Sequence, residues 1–317
     1  MPDRSERIRE AARTLLRKNE VELVIGFEGG TLPLHSTPCF IRKEGEVDRL
    51  VWNSFCDNNV SKYLVKRQER IALVTKGCDS RTVVELIKEK QLSREQVIII
   101  GVPCQGLIDR RRIEGKREAR EILGAEEKDN QVVLKGAGWT DVLDRDKYLH
   151  SSCQACTHRN PVIYDILVGE GVEEDTGDSF SDIAEFGTKS PQERWNYFSH
   201  EVDKCIRCYA CRNACPLCYC GECFVDRTRP QWIGKTTEIS DTMIFHLMRA
   251  FHMAGRCVDC GACERACPMG IDFRKLTRKL VHDVKELYGY ESGTSLDEVA
   301  PLATFQPDDP EEFILSP

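Results

Sequence analysis

Two stretches of this chain repeat one arrangement of thiols. Cys205-Ile206-Arg207-Cys208-Tyr209-Ala210-Cys211-Arg212-Asn213-Ala214-Cys215-Pro216 is followed by Cys257-Val258-Asp259-Cys260-Gly261-Ala262-Cys263-Glu264-Arg265-Ala266-Cys267-Pro268. Three thiolates at intervals of three residues can wrap one iron–sulfur cubane corner by corner. The fourth, carried onward by a helical turn and a proline, points to the other cubane. That crossing assigns one [4Fe-4S] cluster to Cys205, Cys208, Cys211 and Cys267, and a second to Cys257, Cys260, Cys263 and Cys215. Paired Cys-x2-Cys also binds zinc, but the repeated four-thiol rhythm, with proline after each last cysteine, argues for iron–sulfur chemistry. The chemistry is one-electron transfer.

The remaining cysteines divide into two groups. Cys218, Cys220 and Cys223 follow the first motif within eight residues. Several readings stay open for them: a further cluster completed by Cys39 or Cys56, a zinc site, a redox-active thiol pair, or packing against the clusters as weak S–H donors. Packing is the preferred reading. Cys78, Cys104, Cys153 and Cys156 make a plausible third four-cysteine site, with buried free thiols as the alternative. His246 and His252 are read as surface or satisfied histidines rather than ligands.

The elements that must position these residues read as two kinds. The first half is α/β: an amphipathic helix over residues 5–18, then a strand from Val21 to Phe27 running into Gly29-Gly30. A buried strand Ile71–Val74, a helix Arg81–Lys90 and a second buried strand Val97–Gly101 follow. Continuous apolar strands joined by a helix predict a parallel pair covered on both faces. Cys78 and Cys104 each follow one of these strands, at the ends where open α/β sheets keep their ligands. The charged stretch from Asp109 to Lys128, with Arg110-Arg111-Arg112, reads as a solvated helical face. The second half is mostly helical. One helix is capped at Ser240-Asp241 and ended by Gly255, and its Met243, Leu247, Ala250 and Ala254 face is expected in the core; another starts near Asp272. The tail from Glu291 holds Pro301, Pro307 and Pro310, the acidic run Asp308-Asp309-Pro310-Glu311-Glu312, and the apolar Phe305, Phe313, Ile314 and Leu315. It reads as an extended, subunit-binding arm.

The repeated motif is that of bacterial-type ferredoxins carrying two [4Fe-4S] clusters, and it is similar to the dicluster domains of heterodisulfide-reductase-type complexes. Residues 20–190 resemble the beta-subunit family of coenzyme F-420 hydrogenases and dehydrogenases. The resemblance lies in Lys76-Gly77-Cys78-Asp79, Val84-Glu85-Leu86-Ile87, Ile99-Ile100-Gly101-Val102-Pro103-Cys104, Cys153-Gln154-Ala155-Cys156, Tyr164-Asp165-Ile166 and Gly169. It implies that Cys78, Cys104, Cys153 and Cys156 hold a [4Fe-4S] cluster beside FAD. Members continue into a flavin-binding part where this chain turns at Cys205 to its ferredoxin motif, so FAD is an open expectation and the third cluster a firmer one.

The expected organisation is an N-terminal helix (1–20), an α/β domain with a small, partly parallel sheet (21–195), a mostly α-helical dicluster domain (196–290) and the tail (291–317). With 317 residues, 41% of them hydrophobic, the chain is long enough for two cores. Its charged beginning does not resemble a secretory leader, and no apolar run approaches a membrane span. Ligand-spaced cysteines without a leader imply a reducing cytoplasm and metal binding. A net charge of −7 offers no footprint for nucleic acid, and direct membrane insertion is not expected. There is no P-loop, no G-x-G-x-x-G and no Ser/His/Asp set. The expected function is an electron-transfer subunit of an anaerobic oxidoreductase complex. Its expected partners are a flavoprotein, formate dehydrogenase or hydrogenase on one side and a heterodisulfide-reductase-like reductase on the other. The alternative is a flavin-containing subunit that itself reacts with a deazaflavin or nicotinamide.

Overall fold

The computed structural model describes residues 3–304, apart from 116–120, 129, 175–176 and 178. Apolar β-branched runs build the first half. Helix α1 (Arg4–Arg17) buries Ile8, Ala12 and Leu15 and leads to β1 (Leu23–Gly29), which pairs antiparallel with β2 (Ser36–Ile41). Strand β3 (Ile71–Thr75), helix α2 (Gly77–Lys88) and strand β4 (Val97–Gly101) form a β–α–β unit. β1, β3 and β4 are parallel neighbours, with Ile71 opposite Val97 and Thr75 opposite Gly101. Every residue of β3 is buried, as a strand covered on both faces requires.

Helix α3 (Arg110–Glu114) precedes a separate antiparallel sheet, β5 (Gly124–Lys128), β6 (Gln131–Gly136) and β7 (Trp139–Asp144). The charged stretch is therefore not one helical face. Its described residues include a five-residue helix and a strand, and only the inward side of the hairpin is apolar, with Val132 and Leu134 packed on Ile108 and Ile113. Helix α4 (Ser151–Gln154) follows, and β8 (Ile166–Leu167) completes the first sheet in the order β2-β1-β3-β4-β8.

Beyond β8 the described chain is helical: α5 (Ser181–Gly187), α6 (Pro191–Asp203), α7 (Ala210–Ala214), α8 (Ile239–His252), α9 (Ala262–Arg265) and α10 (Arg274–Tyr288). The protein thus pairs an α/β part, whose sheet is partly parallel, with a helical part. Helix α8 starts at Ile239 with Glu238 in the capping position, just ahead of the expected Ser240-Asp241. It buries Phe245, His246 and Ala250 and leaves Ile244, Met248 and Phe251 exposed.

The first residues of the expected arm fold back on α2. Arg81 Nη2 donates to the Ser292 carbonyl at 2.6 Å, and Glu85 accepts from the Gly293 N–H at 2.6 Å and the Tyr290 hydroxyl at 2.9 Å. Phe305, Pro307, the acidic run to Glu312 and Phe313 to Leu315 lie outside the described residues. None of the described helices is long and apolar enough to cross a membrane.

Candidate metal centres

The first site is assembled by strand ends. After β3, Lys76 and Asp79 form a fully buried pair: Nζ lies 2.8 Å from Asp79 Oδ2, which also accepts the Lys76 backbone N–H at 3.1 Å. Asp79 thereby starts α2 at Gly77, earlier than the expected Arg81, so Cys78 stands in the first helical turn. A side chain at 77 is impossible without movement, since its Cβ would meet the His158 carbonyl oxygen at 2.2 Å. After β4, the Cys104 N–H donates to the Arg159 carbonyl at 2.9 Å, and the Gly106 N–H reaches Cys104 Sγ at 3.4 Å. These contacts draw the loop after α4 over both strand ends. Cys78, Cys104, Cys153 and Cys156 line one cavity of about 60 Å³, and Cys260 of the second ferredoxin motif lines it too.

The two ferredoxin motifs share one backbone. Arg207 and Asp259 lie at φ 50° and 51°, and Tyr209 and Gly261 at 58° and 69°. Such left-handed residues turn successive amides toward an anion. The Arg207 N–H accordingly meets Cys205 Sγ at 3.4 Å. Glycine is required at 261 because its Cβ would lie 2.3 Å from Ser152 Oγ of α4, whereas a side chain, that of Tyr209, stands at the equivalent left-handed position of the first motif. Cys205, Cys208, Cys211 and Cys267 line an outer cavity of about 30 Å³, which Cys263 also lines. Between the two cavities lies a middle site. Cys257 is within electrostatic reach of Cys260 and Cys263, and Cys260 within reach of Cys215 and Cys263.

Burial raises several of these thiols above their ordinary range. Cys156, Cys211 and Cys260 are pushed up to about 11, and Cys78 and Cys257 rise well above their usual value. They ionise only where a metal supplies compensating charge. The spacing of the sulfurs bears on which metal. A tetrahedral zinc with Zn–S near 2.3 Å would draw its thiolates to about 3.8 Å from one another. Among the described residues no three cysteine sulfurs lie within 4.8 Å of each other. Convergent thiols and amides aimed at sulfur fit [4Fe-4S] clusters.

The other thiols separate from these sites. Cys39 and Cys56 are core residues, 1% and 0% exposed, and burial pushes both up to about 12. Cys218 lies against Cys215, whose hydrogen bond, helped by Arg249 and Arg256, brings it down to about 7 despite burial. Cys220 is exposed, and Cys223 stands near Arg212. His246 is buried with Nε2 3.2 Å from Cys205 Sγ. Burial, reinforced by Arg249 and Arg207, lowers it to about 4, so it is neutral and able to donate Nε2–H to that sulfur. Its position on α8, forty-one residues from Cys205, leaves no trace in motif spacing.

A large cavity of about 600 Å³ adjoins the first site. Cys104, Gly106 and Leu107 belong to both, and Gly30, His35, Trp52, Phe55 and Arg145 also line it.

Comparison with known proteins matches this architecture. The family model described as a 4Fe-4S dicluster domain fits residues 201–271. The chain is 23% identical to the F420-dependent formate dehydrogenase subunit beta of Methanocaldococcus jannaschii, covering 88% of this chain and 89% of that one. It is 24% identical to the F420-dependent formate dehydrogenase 1 subunit beta of Methanococcus maripaludis, covering 91% and 90%. A solved structure of the F420-reducing [NiFe] hydrogenase complex from Methanosarcina barkeri contains a chain that aligns at 10% identity. That alignment covers 48% of this chain and 58% of the other, with a TM-score of 0.39, too distant to carry an argument. With a 4Fe-4S dicluster domain and the thiols for [4Fe-4S] clusters, the chain is similar along most of its length to the F420-dependent formate dehydrogenase beta subunits.

Proposed function

We propose that the chain is the iron–sulfur electron-transfer subunit of a multisubunit oxidoreductase, with three [4Fe-4S] clusters held by the first, middle and outer quartets. The observation that carries this reading is the order of the sites. Cys260 joins the middle quartet to the cavity of the first, and Cys263 joins it to the cavity of the outer one. Clusters bound there supply one-electron transfer at potentials set by charge, sulfur hydrogen bonds and exposure. The protein's own part is to hold twelve thiols in register, to aim amides and His246 at sulfur, and to leave Cys208 exposed at the outer end. The names of the two sequence relatives support formate-derived electrons on one side, and a hydrogenase or flavoprotein is the other donor proposed there. A heterodisulfide-reductase-like acceptor, or a related reductase, is the proposed opposite end.

A second reading is favoured by the cavity of about 600 Å³ that shares Cys104 with the first site. Its size is that of a cofactor site, and it lies at the carboxyl ends of β1 and β4, where open α/β sheets bind ligands. In this reading FAD sits beside the first cluster and exchanges electrons with a deazaflavin or nicotinamide. One preparation tests both. Anaerobically reconstituted protein should carry about 12 iron atoms, four per cluster. A value near eight overturns the first site. Equimolar flavin after purification establishes the second reading, and a flavin-free spectrum after incubation with FAD removes it.

A further inference from the structure

Two arginines lie between the thiol sites. Arg265, at the end of α9, donates Nε and Nη2 to the Asp57 carbonyl at 3.0 and 2.6 Å. Its Nη1 donates to the Cys260 carbonyl at 2.8 Å and to Ser152 Oγ at 3.3 Å. It therefore spans the seam between the first and middle quartets. Arg249, on α8, is 5% exposed; its Nη2 donates to the Cys211 carbonyl at 3.3 Å, and its Nε is buried with no partner. It lines the outer cavity beside Cys205, Cys211, Cys263 and Cys267, at the seam between the middle and outer quartets.

Nearby arginines are paired differently. Arg274 and Arg278 both form ion pairs with Asp259. Among the described residues Arg249 and Arg265 form none with a carboxylate. A guanidinium removed from water is costly unless opposite charge lies against it. Around buried Arg249 neutral thiols do not meet that need, whereas cluster-bound thiolates do; half-buried Arg265 has the Asp57 carboxylate within electrostatic reach as well as the thiols. The neighbours that favour the charged form against burial are Cys263, Cys215, Cys211 and Cys218 for Arg249. For Arg265 they are Cys153, Cys260, Asp57 and Cys78.

We propose that Arg265 and Arg249 are shared counter-charges that raise the reduction potentials of the sites they separate, Arg265 for the first and middle sites and Arg249 for the middle and outer sites. Reduction of a cluster adds one negative charge, and a fixed cation against its ligands favours that state. The middle site lies against both arginines and is raised most. This inference rests on the ligand sets proposed above.

The test is an EPR-monitored titration of anaerobic, full-length protein with dithionite and mediators. Arg249→Gln should lower the midpoints of the middle and outer sites and leave the first unmoved. Arg265→Gln should lower the first and middle and leave the outer unmoved. The expected change is about tenfold in the one-electron reduction equilibrium, or about 59 mV. Arg249→Lys and Arg265→Lys should keep the wild-type values. Unmoved midpoints in the Gln variants, equal shifts in Gln and Lys variants, or a uniform shift of all sites would overturn the proposal. If a Gln variant loses iron while its Lys counterpart keeps it, the charge is needed for assembly and the proposal stands. Loss in both means packing, and it falls. Wild-type iron short of about 12 would instead fault the ligand sets, by the count of four per cluster.

Discussion

At the scale of single residues, the decisive difference among the cysteines is what faces the sulfur. Cys56 Sγ accepts the Asn53 N–H at 3.4 Å inside an apolar core, and Cys39 lies in β2 beneath α1. Both can stay neutral. The site thiols instead face one another across small cavities, with amides or His246 directed at sulfur. Cys215 tests the crossing of ligands most directly. It is the last cysteine of the outer motif in sequence, yet it stands within reach of Cys260. Cys215→Ala should therefore damage the middle cluster, dropping iron from about 12 to about 8 while the outer signal persists. Loss confined to the outer signal would reverse the assignment. Cys39→Ser and Cys56→Ser should keep full iron and lose about 1–3 kcal/mol of stability, the cost of an imperfectly bonded buried hydroxyl, readable by denaturant unfolding. The dicluster domain was legible because its ligand spacing is a local property of sequence, whereas Cys78, Cys104, Cys153 and Cys156 are far apart in the chain and were grouped by strand ends and family resemblance. Arg249, Arg265 and His246 were not legible, because which side chain of a distant helix faces a cluster is decided only by tertiary packing.

Among the elements, α2 does the most to build the first site. Its first turn carries Cys78, and its far end is clamped from the helical half. Arg256 pairs with Glu89, the Tyr219 hydroxyl donates to Glu89 at 2.6 Å, and the Gly293 N–H and Tyr290 hydroxyl converge on Glu85. The approach of the His158 loop at Gly77 brings Cys156 to Cys78. Gly77→Ala should push that loop away. About four irons should be lost by the count per cluster, with about 1–3 kcal/mol of destabilisation from the overpacked Cβ. Retention of full iron would show that the loop has slack. Strands β3 and β4 were readable from their unbroken apolar runs. Strand β2 was not, because Pro38 and polar neighbours in Ser36–Ile41 suit an edge strand and resemble a loop. The hairpin β5–β7 was hidden by charge, since only its Val132 and Leu134 side is buried. Asp79 explains the early start of α2: Gly-Cys-Asp-Ser reads as a turn until the buried Lys76 is seen to complete the cap.

For the whole molecule, the packing of the halves fixes an order of sites that the sequence left open. Ferredoxin spacing places two clusters side by side, and the α/β half could have met either. Gly261, with no room for a Cβ beside Ser152, lets the middle motif rather than the outer one press against α4. Arg111 reinforces that docking by donating to the Cys267 and Arg265 carbonyls at 2.8 and 2.9 Å. On the proposed ligand sets the result is a row in which the middle site has two neighbours and each end has one. Magnetic coupling between reduced clusters falls off with distance, so the row makes a differential prediction. Fully reduced protein should show spin–spin broadening involving all three signals. Cys78→Ala should leave one coupled pair, middle and outer. Cys257→Ala should leave the first and outer signals narrow and uncoupled, although two clusters remain by an iron count of about 8. A Cys257 variant whose remaining signals are still mutually broadened would show that the end sites touch, and the linear order would be wrong.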